Sequence, residues 1–478
     1  MKSVSVKKNL IYNFVYQILA ILQPLITTPY ISRVLGPTRT GEYSYSYAIA
    51  YYFVMITMLG LNNYGNRTIA VIRDDKDKLS MEFWSIYIMQ LTVGIISSLV
   101  YLAYGILFSN KLMTWILFLY VLSAIFDINW FFFGMEQFRI TVTRNTIIKI
   151  ITTICVFVFV KDQNDIYKYA LIMVSGIFIS QLILWKFLFD YVVIKKICFA
   201  GVIKHIKPNV ILFIPILAVS LYKVMDKIML GVMTTKTEVG LYESSERIIQ
   251  IPMALIQSTG TVMLPKMSNL FSKRDSEKAK NIFSLSIMLV MFLSSSMCFG
   301  IMGVARYFVP LYYGKGYLKC IDLFQILLPS CIFLAFANVI RTQYLIPKKK
   351  DAIFISSVVI GSIINLIINC LLIPKKASIG AAIGTLLAEV AVCVYQTYSV
   401  RKDIEIFLYI KNSLLFVIPA VIMYLILDII DLPFTLFVNL LFLIIIGLSV
   451  YIIILLLLLI ITHKLDIILT FFKKEKKI

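Results

Sequence analysis

Long runs of apolar residues, each close to twenty residues in length, dominate this sequence. A helix of about 20 apolar residues crosses the roughly 30 Å hydrocarbon core of a bilayer. Because backbone N–H and C=O groups in lipid must bond to one another, such runs are predicted to be transmembrane helices. The composition agrees, since 60% of the 478 residues are hydrophobic and only 15% are charged. We therefore predict an all-α membrane protein.

Fourteen spans are predicted, and the distribution of Lys and Arg supports their order. With the N-terminus in the cytoplasm, the inside segments, counted together with Arg144, Lys149 and Lys411 of the adjoining spans, carry 30 of the 46 Lys and Arg residues. The outside segments, counted together with Arg33 and Lys168, carry 11. Positively charged loops stay inside, so we predict that both termini are cytoplasmic. The predicted spans are residues 10–33, 42–62, 83–108, 112–133, 141–160, 167–190, 208–231, 241–265, 282–305, 320–346, 352–373, 378–400, 407–427 and 434–462.

Two short joins flanked by glycine indicate an internal repeat. One join connects the first and second spans, the other connects the seventh and eighth spans about 195 residues later, and both are predicted to face outside. Glycine suits a helix end that adopts left-handed backbone before a turn. We predict two six-helix lobes, residues 1–195 and 196–405, then two further helices and a basic cytoplasmic tail in residues 406–478. The shared residues are Leu35-Gly36 with Gly41-Glu42-Tyr43, and Leu230-Gly231 with Gly240-Leu241-Tyr242.

Ionisable residues inside the seventh and eighth predicted spans are candidate functional residues, because a charge in lipid is costly. Two interpretations stay open. The charges pair into a neutral network, or they line a wet, partly cationic passage for an anionic substrate. The residues of the seventh span share one helical face. The six residues are Lys223, Asp226, Lys227, Glu243, Glu246 and Arg247.

Three arginines near span ends are further candidates for contact with an anionic substrate. Arg33 lies at the outer end of the first span, Arg67 at the inner end of the second, and Arg341 near the inner end of the tenth. Arg67 and Arg341 have an alternative role, since long cationic side chains can snorkel to lipid phosphates.

Acidic residues in the spans are candidates for coupling transport to H⁺ or Na⁺, which requires ionisable groups within the membrane. Asp127 lies in the fourth span and Glu389 in the twelfth, and neither spacing selects one over the other. Asp226, Glu243 and Glu246 are the remaining candidates. No other cofactor is predicted.

Proline and tyrosine residues in the first two spans suggest contact with a cavity or with a membrane interface. Pro24 and Pro29 are predicted to kink the first span, since proline removes a backbone donor, and kinked helices often line cavities. A tyrosine-rich run, residues 43–52, opens the second span. These rings suit sugar stacking, or they form the aromatic belt of a membrane interface.

Several functional classes are excluded by the rest of the sequence. The net charge of +21 lies mostly in short loops, which indicates topology and attraction to anionic lipids rather than nucleic-acid binding. Seven cysteines form no C-x-x-C pair and the two histidines are far apart, so no metal site is predicted. There is neither a Walker A phosphate loop nor a large soluble segment. We predict a transporter rather than an enzyme.

Short segments in both halves resemble the Wzx-type oligosaccharide flippases of the polysaccharide transporter family. This family lies within the multidrug/oligosaccharidyl-lipid/polysaccharide exporter superfamily. The resemblance covers most of the chain, and its N-terminal part is the most specific. The segments are residues 29–36 (PYISRVLG), 41–43 (GEY), 64–70 (YGNRTIA), 73–74 (RD), 222 (Y), 226–231 (DKIMLG) and 240–242 (GLY).

The resemblance implies a fold, a substrate and a set of binding residues. The fold is that of MATE transporters, with a V-shaped pair of six-helix lobes around a cavity that opens alternately to each side. The substrate is an undecaprenyl-pyrophosphate-linked oligosaccharide repeat, moved to the outer leaflet for O-antigen or capsule synthesis. Membrane lipids and other polysaccharide assembly proteins are the implied partners, and the bacterial cytoplasmic (inner) membrane is the implied location. The family's cavity is cationic, and its candidates here are Arg33, Arg67, Lys223, Lys227 and Arg247.

Three other functions compete with this one. A multidrug cation antiporter shares the fold, but it would favour acidic cavity residues. An integral-membrane polysaccharide polymerase or ligase has similar hydrophobicity, but usually carries a large outer loop that is absent from this sequence. A channel is disfavoured by the two-lobe repeat.

Overall fold

Helices form nearly all of the structure, a computed structural model that describes residues 6–109, 111–195, 197–273 and 275–462. Side chains are described from Gln23 onward, except that of Tyr222. The predicted basic tail from residue 463 lies outside the described residues. The α-helices are α1 (Val6–Met58), α2 (Leu61–Ile72), α3 (Lys76–Tyr104), α4 (Leu112–Ile125), α5 (Asn129–Gly134), α6 (Phe138–Phe159), α7 (Ile166–Leu188), α8 (Phe199–Ile203), α9 (Ile206–Lys223), α10 (Met225–Met233), α11 (Lys236–Ser272), α12 (Ser276–Tyr312), α13 (Cys320–Leu327), α14 (Ser330–Ile340), α15 (Asp351–Lys376), α16 (Ser378–Val400), α17 (Ile406–Ile429) and α18 (Leu436–Ile461).

Thirteen helical stretches among the described residues are long and apolar enough to cross a membrane. The first stretch, Gln23–Ile72, contains the end of the first predicted span and the whole of the second. The remaining twelve stretches correspond one to one with the third to fourteenth predicted spans. The predicted all-α membrane architecture of about fourteen spans is therefore confirmed, and the protein is a multi-pass membrane protein.

A single residue separates the first two spans within α1. Gly36 has φ 73° and ψ 173°, whereas the helix continues through Pro24 and Pro29. Glycine accepts this positive φ without the steric cost that a side chain would impose. The left-handed glycine expected at the first join is thus found. At the second join, Gly231 stays inside α10, so the same expectation is wrong there.

Other spans are built from broken helices. The fourth consists of α4 and α5, the seventh of α8, α9 and α10, and the tenth of α13, α14 and a π-helical turn, Arg341–Leu345. A second π-helical turn, Gly105–Ser109, ends the third span. Such turns widen the helix locally and occur frequently at functional sites.

By their internal contacts, the residues form two compact units, Met1–Gly240 and Leu241–Ile478. Two groups of buried side chains hold the first unit together. One is centred on Phe83, Trp130 and Phe131, and the other includes Leu117 and Tyr169. The seventh span belongs to the first unit by this criterion, while the predicted lobe boundary at residues 195–196 stays a prediction.

Candidate functional site

The seventh span is interrupted among its charged residues. Helix α9 ends at Lys223 and α10 begins at Met225, with Val224 at the junction (φ −118°, ψ −33°). The carbonyl of Ser220, which lies in the last turn of α9, accepts a hydrogen bond from the Val224 N–H at 2.9 Å. It accepts a second from the Tyr52 hydroxyl at 3.0 Å. The Ser220 carbonyl thus keeps its helical partner, and the Tyr52 hydroxyl of α1 adds a second hydrogen bond next to the break.

Three predicted site residues surround this junction. Lys223 is exposed, Lys227 is half-buried, and Asp226 is only 1% exposed in the first turn of α10. Asp226 and Lys227 both take part in further polar interactions. A helix N-terminus carries partial positive charge, so the junction combines two lysines and a helix end around one buried carboxylate.

In α11 the predicted charges are partly paired with each other. Arg247 Nε donates to Glu243 Oε1 at 3.0 Å, one helical turn apart, with the two side chains 36% and 16% exposed. This ion pair agrees with the first interpretation of the sequence, in which the charges of these spans neutralise one another. Glu246 is half-buried on the same helix and also has a polar interaction.

The three further arginines occupy different surroundings. Arg33 on α1 and Arg67 on α2 are exposed, and Arg33 has a polar interaction. Arg341 begins the π-helical turn of the tenth span, where its Nη2 donates to Asn338 Oδ1 at 2.6 Å. Its guanidinium carbon lies 5.3 Å from the centre of the Phe354 ring. Arg341 is therefore held by its own unit.

Asp127 connects two half-helices. It lies between α4 and α5, and its Oδ1 accepts from the Asn129 N–H at 2.9 Å and from Asn129 Nδ2 at 2.7 Å. Asn129 Oδ1 in turn accepts from Arg144 Nη2 at 2.9 Å, while Arg144 Nη1 donates to the Ser180 carbonyl at 2.8 Å. These contacts give Asp127 a structural role in a network that joins the fourth, fifth and sixth spans. Glu389 is 5% exposed in α16 and has a polar interaction.

The two glycine-flanked joins pack against each other. A Cβ on Gly41 would lie 1.7 Å from the Lys236 carbonyl oxygen, and a Cβ on Gly240 would lie 2.0 Å from the Pro37 carbonyl oxygen. The hydroxyls of Thr38 and Thr237 are 2.9 Å apart. Both glycines are thus explained by close backbone approach rather than by backbone conformation. The sequence repeat predicted both joins on the outer side of the membrane, but it did not indicate that they contact each other.

The tyrosine-rich run divides between packing and a polar pocket. Tyr47 stacks on Tyr120 with centroids 4.7 Å apart, and Tyr43 meets the Tyr169 ring edge-on at 5.1 Å. These rings are core residues of the first unit. The intervening Tyr45 instead faces a pocket of about 120 Å³, which the sequence reasoning missed. Its lining residues are Glu42, Tyr45, Ser46, Ile49, Tyr101, Tyr104, Phe108, Ser109, Lys111, Thr114 and Lys236.

Sequence comparisons identify relatives that share this architecture. The model of the family described as "Polysaccharide biosynthesis protein" matches residues 6–271. A protein of Escherichia coli (strain K12) named "Putative O-antigen transporter" is 22% identical over 405 residues, which cover 84% of this chain and 97% of that protein. Over 167 residues, 35% of each chain, the sequence is 27% identical to the "Probable low-salt glycan biosynthesis flippase Agl15" of Haloferax volcanii.

Solved structures show the same fold at low sequence identity. The inward closed conformation of the lipid II flippase MurJ matches with a TM-score of 0.74 and 16% identity, covering 93% of this chain and 97% of that chain. An inward-facing multidrug resistance MATE family transporter matches with a TM-score of 0.60 and 13% identity, covering 82% of this chain and 96% of that one. The predicted MATE-like fold is therefore confirmed.

Proposed function

Because the chain belongs to the polysaccharide biosynthesis protein family, we propose that it is a flippase for lipid-linked oligosaccharides used in surface polysaccharide synthesis. The observation that carries the proposal is the match to an O-antigen transporter along 97% of that protein's length. The substrate we propose is an undecaprenyl-pyrophosphate-linked repeat unit, moved from the cytoplasmic to the outer leaflet. The membrane is the bacterial inner membrane, with both termini cytoplasmic.

The physical task is to move a polar headgroup through hydrocarbon. Burying an unpaired polar group costs several kcal/mol, about 4–8 in an environment that cannot form hydrogen bonds. A protein passage that supplies hydrogen bonds and cations removes most of that cost, while the polyprenyl tail remains in lipid. Exporting about two negative charges from an inside-negative cell also gains roughly 5 kcal/mol per 100 mV.

We propose the exposed cations of the first unit as the groups that bind the diphosphate. Arg33, Arg67 and Lys223 are exposed on α1, α2 and the broken seventh span, and guanidinium groups form paired hydrogen bonds with phosphate oxygens. Arg247 contributes less because it is paired with Glu243. H⁺ or Na⁺ coupling through the acidic residues and contact with other assembly proteins extend the same proposal.

Complementation of a flippase-deficient strain tests this function. We expect the double variant Arg33→Ala, Lys223→Ala to reduce surface polysaccharide at least tenfold at equal membrane abundance, because each lost charge-assisted contact costs about 1.5–3 kcal/mol. Lys161→Ala is the matched control, since it removes an exposed cation that bonds only to the Phe157 carbonyl within the described residues. Normal polysaccharide in the double variant would remove these cations from the mechanism. Drug resistance conferred by the parent chain, without polysaccharide, would instead favour a multidrug antiporter.

A further inference from the structure

The pocket beneath Tyr45 brings together two ammonium groups at one end of the first unit. Lys111 precedes α4, and Lys236 opens α11. Both line the pocket, and Lys236 interacts electrostatically with Lys111 and with Glu42. Glu42 also lines it, but its carboxylate is 3.0 Å from Arg39 Nη1, so that pair is neutral. The pocket therefore carries an excess of positive charge.

Lys236 is held in place rather than extended into solvent. Its Nζ donates to the Gly231 carbonyl at 2.7 Å and lies 3.0 Å from the centre of the Tyr45 ring. An ammonium has three donors, so Lys236 retains capacity for a ligand. Lys111 is exposed, and no hydrogen bond or ion pair of its ammonium occurs among the described residues.

Neutral donors complete the wall of the pocket. Ser109 and Thr114 share a hydrogen bond of 2.6 Å between their hydroxyls, and the O–H that does not donate in this bond can donate to a ligand. Tyr104 and the exposed Phe108 also line the pocket, and their rings stack on each other with centroids 6.2 Å apart.

We propose that this pocket is a subsite for a phosphate group joined to a sugar. Two cations and hydroxyl groups bind the phosphate oxygens, and the aromatic rim packs against the apolar face of the adjoining ring. The volume of about 120 Å³ greatly exceeds the roughly 10–15 Å³ that one water needs, but falls short of a full site of about 300–1,000 Å³. The pocket therefore suits a phosphate with the adjoining part of one sugar, and not a whole repeat unit. This proposal rests on the proposed function, which places the pocket at the outer side of the membrane.

Direct binding to the purified protein tests the subsite without requiring transport. Titration of detergent-purified chain with inorganic pyrophosphate should give saturable binding that weakens as salt is raised, because charges dominate the contact. Lys111→Ala should weaken that binding about tenfold or more, and Lys111→Arg should retain most of it. Lys161→Ala should leave it unchanged. Lack of pyrophosphate binding by the parent chain, or equal affinities of Lys111→Ala and Lys161→Ala, would overturn the subsite.

Competition distinguishes the source of the phosphate. Undecaprenyl diphosphate in phosphatidylcholine nanodiscs should displace pyrophosphate if the ligand is lipid-linked, whereas a soluble sugar phosphate alone displaces it if the ligand is free. Binding data and polysaccharide export are separate readouts. Polysaccharide export that is unchanged in the Arg33→Ala, Lys223→Ala variant would contradict the proposed function but not the subsite. Pyrophosphate binding that is unchanged in Lys111→Ala would contradict the subsite but not the proposed function.

Discussion

Replacement of Gly41 by alanine should separate the two glycine-flanked joins. The added Cβ would lie 1.7 Å from the Lys236 carbonyl oxygen and 2.7 Å from the Gly240 nitrogen. An ordinary contact of about 3.5 Å therefore requires a movement of about 1.8 Å. Both neighbours are backbone atoms, so rotation of a side chain cannot relieve the overlap. Overpacking of this kind typically costs about 1–3 kcal/mol, and about 2 kcal/mol corresponds to a factor of roughly 30 in the population of the packed arrangement.

Disulfide crosslinking across the joins measures that population. Thr38 and Thr237 have hydroxyls 2.9 Å apart, so the pair Thr38→Cys, Thr237→Cys should form a bond rapidly under mild oxidation, identified by peptide mass spectrometry. Gly41→Ala should slow its formation at least fivefold. Gly300→Ala is the matched control, because its Cβ would meet only the Met423 methyl at 3.7 Å. A Gly41→Ala protein that crosslinks as fast as the Gly300→Ala protein would refute the packing argument.

Two further changes test the buried hydrogen bonds. Arg144→Ala should lower the free energy of unfolding of the detergent-purified protein by at least about 3 kcal/mol, since the four hydrogen bonds that its guanidinium donates to Asn129, Asn145 and the Ser180 carbonyl are lost. Arg144→Lys should recover part of this stability, and unchanged melting of the alanine variant would contradict the stabilising role of the network. Tyr52→Phe should lower the free energy of unfolding by about 1 kcal/mol, because it removes the donor to the Ser220 carbonyl. The same change should increase alkylation of a Lys223→Cys reporter. Identical labelling of that reporter with and without the Tyr52→Phe change would show that the break does not depend on this bond.

Hydropathy predicted the spans well because lipid imposes one rule on every residue that enters it. A backbone in hydrocarbon must be helical or closed, so the length of an apolar run suffices to locate helices such as α17 and α18. The same rule does not predict where a helix is interrupted inside a span. At the break beside Asp127, the carbonyls of Ala124 and Asp127 accept hydrogen bonds from the Gln90 side chain of α3, and that partner cannot be identified from an apolar run.

Sequence predicted which side chains were unusual, but not what each contacts. Glu243 and Arg247 are one turn apart, so their ion pair follows from helical spacing alone. The pocket lined by Lys111 and Lys236 is different, because its cations are 125 residues apart in sequence and meet only through tertiary packing. The sequence did not indicate either lysine as a site residue, since each lies in a short predicted loop, where a cation is common.

The junction at Val224 shows why counting charges does not give the sign of a local field. Two lysines and one aspartate lie close together around it and suggest a cationic site, yet Asp226 is buried in the first turn of α10. A carboxylate there interacts favourably with the partial positive charge of the helix N-terminus, so it offsets the positive field that a phosphate would meet at that helix end. Lys223 is exposed and lies beyond that turn. A substrate anion is therefore expected to bind the exposed lysine rather than the helix end, which leaves Asp226 to hold the broken span in place.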